Sequence, residues 1–227
     1  MSFGLLVRNN DNYVQIDSES PRLCALYSGT YQATSSDTAT VVFPSPITTT
    51  EPPCIFVRNT ETRPDDLYRL MLITGAPNNW TGFTISAANV TWRPAGKWFA
   101  AVFASKSNAS WGLRMWGADG SVIYDSGATP VTVTKATNSW SFQGSIQLAI
   151  GNAYYYRAEA VGPLVSDEYF MINPFSRGIL APQRATWNQS GIRFNYSENR
   201  LQLYSVGTTG WIDPGMPGVI FARLPGT

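Results

Sequence analysis

The side chains of this chain with a claim to chemistry are carboxylates and tryptophans, because histidine is absent altogether. Its absence excludes Ser-His-Asp and Cys-His nucleophiles and every imidazole metal site. Two cysteines, Cys24 and Cys54, are too few for a thiolate metal centre or a disulfide framework. Both lie in apolar, strand-like runs and read as small buried hydrophobes, with a single bridge as the alternative. A glycosidase-type acid pair would have to come from Asp65, Asp66, Asp125, Glu159, Asp167 and Glu168. Asp65-Asp66 follows Pro64, however, and Asp167-Glu168 comes soon after Gly162-Pro163, which is turn chemistry. Gly117-Ala118-Asp119-Gly120 opens a hairpin and no helix, so it is no phosphate loop. The expectation is a protein that is not an enzyme and carries no metal or cofactor.

Tryptophan is the other resource. Aromatic residues make up 13% of the chain, eight of them tryptophan. Trp80, Trp92, Trp111 and Trp140 fall in or beside loops and are candidates for a protein interface or for stacking on sugar. Tyr154-Tyr155-Tyr156 must place rings on both faces of its strand, which makes Tyr155 a further contact candidate. The bland alternative is that these rings simply fill the core and close the strand ends of a sandwich.

The elements that would position these groups are visible in a pattern the chain contains twice. Residues 4–19 read GLLVRNNDNYVQIDSE and residues 112–127 read GLRMWGADGSVIYDSG. Aligned without gaps, Gly4/Gly112, Leu5/Leu113, Asp11/Asp119, Val14/Val122, Asp17/Asp125 and Ser18/Ser126 coincide. Two short apolar runs around Asn, Asp and Gly spell a β-hairpin, since those residues tolerate the positive φ of tight turns. The recurrence of Asp-Ser at both exits points to a structural task, with the carboxylate accepting from backbone N–H groups just beyond the strand. One Asp per copy is too few ligands for calcium.

Elsewhere nearly every apolar run is short, β-branched or aromatic, and bounded by turn residues. Strand candidates are 3–8, 13–17, 22–32, 39–43, 54–58, 67–74, 82–86, 97–104, 112–116, 121–125, 131–134, 145–150, 153–161, 168–172, 191–196, 200–206 and 218–223. Residues 64–72 could also open a helix, although Ile73-Thr74-Gly75 favours a strand. Residues 98–104 are apolar at every position, the mark of a central strand covered on both faces. The fold class expected is all-β, built of antiparallel β-sandwich modules. Two are expected, 1–107 with the first hairpin and 108–227 with the second, a single continuous β unit being the alternative.

Composition narrows the partners. The net charge is +1 and only 14% of residues are charged, so the basic surplus of a nucleic-acid binder is missing. Nothing attracts the chain to an anionic membrane, and no run is long enough to span one. The first residues, MSFGLLVR, do not read as a signal peptide, so the expectation is a chain kept in the cytosol or leaving it by a non-secretory route, of which release by lysis within a particle is one. Five Asn-x-Ser/Thr sequons, at Asn79, Asn89, Asn108, Asn188 and Asn195, then follow merely from an Asn/Ser/Thr-rich surface.

At the two hairpins the chain resembles small tail proteins of tailed bacteriophages, encoded among the tail-tip and fibre genes of siphophages. The residues that carry the resemblance are Gly4, Leu5, Val7, Asn9, Val14, Asp17 and Ser18, then Gly112, Leu113, Val122, Asp125 and Ser126. The second copy departs from the pattern at Met115 and Gly117. The likeness covers about thirty residues and brings no active site with it. It implies a virion component of the tail tip or baseplate, in contact with other tail proteins and with copies of itself around the tail axis. The alternative is a receptor-binding module that takes a host surface glycan through its loop aromatics.

Overall fold

The computed structural model describes residues 6–8, 10, 14–17, 21–33, 37–60, 65–87, 93–104, 110–148, 151–176, 189–196, 198–206 and 217–227. The strands of the first half are β1 (Leu6–Arg8), β2 (Val14–Asp17), β3 (Leu23–Gln32), β4 (Thr38–Ile47), β5 (Cys54–Asn59), β6 (Asp65–Ala76), β7 (Asn79–Ala87) and β8 (Ala95–Phe103). Those of the second half are β9 (Arg114–Trp116), β10 (Val122–Asp125), β11 (Thr129–Pro130), β12 (Thr132–Thr137), β13 (Trp140–Leu148), β14 (Gly151–Ala158), β15 (Tyr169–Met171), β16 (Gln189–Asn195), β17 (Arg200–Val206) and β18 (Val219–Arg223). The protein is all-β. Residues 65–76 form a strand and not a helix, because a two-residue period is what buries Met71 while leaving Leu70 and Leu72 exposed.

Two seven-stranded antiparallel sheets pack face to face as a sandwich. The first has the order β11-β3-β8-β5-β15-β18-β12 and the second β13-β14-β17-β16-β6-β7-β4. One continuous core lies between them. Tyr31, Ile55, Trp98, Phe170 and Phe221 of the first sheet meet Phe43, Met71, Phe83, Ile192 and Phe194 of the second. Both sheets draw strands from either side of residue 107, so 1–107 and 108–227 do not build two sandwiches. The hydrogen bonding is that of the single β unit, because β15, β18 and β12 extend the sheet that β3, β8 and β5 begin.

β8 is the central strand that its apolar run predicts. Alternate residues Trp98, Ala100 and Val102 enter the sandwich core, while Phe99 and Ala101 join Phe56, Tyr169 and Ala222 in a second buried cluster on the opposite face. This strand also keeps the cysteines apart. Cys24 on β3 pairs with Val102 and Cys54 on β5 pairs with Ala101, on the two sides of β8 and on opposite faces of the sheet. Two inter-strand steps separate β3 from β5 by about 9.6 Å, beyond the ~7 Å that a disulfide spans. Neither cysteine is in a disulfide, and burial pushes the Cys54 thiol up from its ordinary pKa.

The two repeated segments form separate two-stranded sheets with the same register. β1 and β2 pair Leu6 with Asp17, Val7 with Ile16 and Arg8 with Val14. β9 and β10 pair Arg114 with Asp125, Met115 with Tyr124 and Trp116 with Val122. Each pairing of the second hairpin is one of the first shifted by 108 residues, including the bulge that skips Gln15 in one and Ile123 in the other.

Candidate functional site

The second hairpin is tied together by its own polar residues. At its tip the Gly117 N–H donates to the Ser121 carbonyl (2.8 Å) and the Gly120 N–H to that of Gly117 (3.0 Å). Asp119 Oδ1 accepts from the backbone N–H of Ser121 (3.0 Å) and from its hydroxyl (2.7 Å). Those two bonds favour the ionised form and hold the Asp119 carboxyl below the usual range, although the group is fully exposed. Gly120 has φ +80°, a conformation in which glycine is unstrained.

The base of the hairpin is tighter. Asp125 is buried, its Oδ1 accepting from the Gly127 N–H (2.8 Å) and its Oδ2 from Arg114 Nε (2.9 Å). The Leu113 N–H donates to Ser126 Oγ (3.0 Å) and the Ser126 N–H to the Leu113 carbonyl (2.9 Å). Gly112 sits against that hydroxyl with φ +138°, where a Cβ would collide with Ser126 Oγ. Gly112, Asp119, Asp125 and Ser126 thus all hold backbone in place. In the first hairpin, Asp17 ends β2, and its side chain is not described; Gly4, Asp11 and Ser18 lie outside the described residues.

This frame carries two exposed indoles. Trp111 is 88% exposed and Trp116 58%, with Leu113 exposed between them in sequence. Together with Ser110, Gly112, Arg114 and Asp125 they line a hollow of about 230 Å³. Arg114 forms part of its wall, its guanidinium held by Asp125 and its Cζ 5.9 Å from the Trp116 ring centre. The hollow therefore offers two aromatic surfaces for stacking and a guanidinium, fixed by the buried Asp125, for hydrogen bonding.

The other aromatic candidates are placed differently. The Trp80 indole N–H donates to the Thr49 carbonyl (2.9 Å) and that of Trp140 to the Pro217 carbonyl (2.8 Å), and both rings pack against the core. Each of the two is a half-buried ring with its polar atom already satisfied. Tyr155 is half-buried on the outer face of the second sheet, since its neighbours Tyr156 and Ala158 turn inward. Trp92 lies outside the described residues. No protein-family model, curated protein or solved structure matches this chain.

The sequence offered Trp111 as one of four loop tryptophans for contact and placed neither Arg114 nor Trp116 among the contact residues. The signal that could have found Arg114 was the repeat itself. Once the two hairpins share a register, position 114 faces Asp125 directly.

Proposed function

We propose that this protein is a structural component of a bacteriophage tail tip or baseplate and works by binding neighbours, without turnover. The observation that carries the reading is the pair of exposed indoles on a hairpin whose buried Asp125 and constrained Gly112 fix the backbone beneath them. Large rings on a rigid frame contribute contact area at low entropic cost, which suits permanent assembly. A second feature agrees with it. β13 is an edge strand of nine residues without a charge or a proline, and it exposes Phe142 and Ile146. Long apolar edges are where further strands add, so this edge supports association with a tail protein or with another copy around the tail axis.

Immunogold labelling of intact particles with antibody against the purified chain tests the tail reading. Label at the distal end of the tail is the expected result. A lysate that contains the protein beside unlabelled particles overturns it.

The hollow itself favours a second reading, recognition of a host surface glycan between Trp111 and Trp116 with Arg114, fixed by Asp125, bonding hydroxyls. Titration of tryptophan fluorescence with host polysaccharide separates the two. A saturable change in the native protein that disappears in W111A supports glycan binding, and a flat titration leaves assembly as the task of the indoles.

A further inference from the structure

A second cleft lies well away from the hairpin in sequence, at the ends of the central strands of the first sheet. It has a volume of about 620 Å³ and is lined by Thr30, Arg58, Asn59, Thr60, Gly96, Lys97, Ser166 and Asp167. Arg58 of β5 and Lys97 of β8 are direct cross-strand partners, and Lys97 in turn faces Thr30 of β3. Directly opposed like charges on a sheet repel each other. No carboxylate forms an ion pair with Arg58 or Lys97 among the described residues. The nearest acid of the cleft, Asp167, is engaged by Arg223 (2.8 Å). Arg58 is half-buried and packs over the Tyr169 ring, with Cζ 4.8 Å from the ring centre. Asn59, at the same end of β5, is 5% exposed, and its Nδ2 is buried without an acceptor among the described residues while Oδ1 accepts from the Tyr31 hydroxyl (3.1 Å).

From this arrangement we infer that the cleft binds an acidic sugar unit, a saccharide that carries a carboxylate or a phosphate. Two opposed cations that no carboxylate pairs with among the described residues ask for an anion, and an anion between them would relieve their repulsion. The remaining lining is hydroxyl, amide and carboxylate, with no apolar side chain. Thr30, Thr60, Ser166 and Asp167 supply the mixed donors and acceptors that sugar hydroxyls require, and the acceptor Asp167 would repel a purely anionic polymer. The volume lies within the range of small-molecule sites. The residues stand mostly on strands and so hold their spacing before any ligand arrives. This inference is independent of the tail reading and uses none of the hairpin residues.

The test is a titration of the isotopically labelled full chain, followed by its backbone amide resonances. Glucuronate, glucose 1-phosphate, glucose and inorganic phosphate are the four probes. The expected result is a saturable shift at Arg58, Gly96 and Lys97 with glucuronate or glucose 1-phosphate, the two arms telling carboxylate from phosphate recognition. Glucose should give none, and added salt should weaken the response. K97Q, at an exposed position where folding is not at risk, should weaken binding roughly tenfold, and W111A should leave it unchanged. Shifts with inorganic phosphate as strong as with either acidic sugar overturn the saccharide assignment. Silence of these amides with every probe, or unchanged affinity in K97Q, overturns the site.

Discussion

The two hairpins share a backbone and differ in what they carry. Shifted by 108 residues, their three cross-strand pairings and their bulge coincide. Their side chains do not. Where the second hairpin has Trp111, Arg114 and Trp116, the first has Phe3, Leu6 and Arg8. The residues common to both, Gly, Asp and Ser at the base and Asp at the tip, are those that the second hairpin uses to bond its own backbone. What differs is Trp111, Arg114 and Trp116, which stand in the hollow on a floor that the repeated Gly112, Leu113 and Asp125 help to form. Gly112, Asp119, Asp125 and Ser126 are scaffold, and the three unrepeated side chains are the candidates for recognition.

Gly112→Val should give the largest effect, because it attacks the shared frame. A branched side chain at φ +138° meets Ser126 and an unfavourable backbone at once. We expect a loss of about 2–3 kcal/mol in the hairpin's local stability, read as faster amide exchange at Leu113 and Ser126. Unchanged exchange would mean that the frame does not depend on this glycine. Arg114→Leu comes next and places the first hairpin's residue in the second. It removes the cation from a buried carboxylate and should cost about 2 kcal/mol in denaturant unfolding. If leucine is tolerated without loss, the Arg114–Asp125 pair is not what distinguishes the copies.

Trp111→Ala together with Trp116→Ala should change stability by no more than about 0.5 kcal/mol, as expected of exposed positions. Incorporation into particles, or glycan binding, should nevertheless be lost. A double variant that unfolds would show the indoles to be scaffold. The smallest effect belongs to Asp119. Its folded pKa lies below the unfolded one, so its contribution is present above the unfolded value and disappears as pH falls through the folded value. Carboxyl titration by NMR should show this depressed pKa, and exchange at Ser121 should quicken as Asp119 protonates. An ordinary carboxylate titration would remove the tip's side-chain bonds from the account.

Much of the fold was legible because it depends on local chemistry. Alternation and turn residues locate β3, β5, β8, β17 and β18 to within one or two residues, and the even apolarity of residues 98–102 places β8 between two covered faces. β13 was read too short, since Trp140-Ser141-Phe142-Gln143-Gly144 alternates weakly and carries a bulge that skips Gln143. The split into two modules failed for a different reason. The repeated hairpins suggested duplication of a domain, but only a peripheral two-stranded unit recurs, and strands from both halves complete each large sheet.

For the site, Trp111 could be suspected from its surroundings, whereas Trp80 and Trp140 could not be told from it until their indole N–H groups were seen bonded to Thr49 and Pro217. The Arg58–Lys97 opposition was equally hidden, because the two residues are 39 positions apart and meet only through the β5–β8 register. Residue type and near neighbours were enough to read the all-β class, most strands and the lack of any imidazole chemistry from the sequence. Only the tertiary structure decided which rings face water, which charges stand opposite each other and which strands share a sheet. Those properties arise when distant strands pair, and pairing is set by the packing of the whole core.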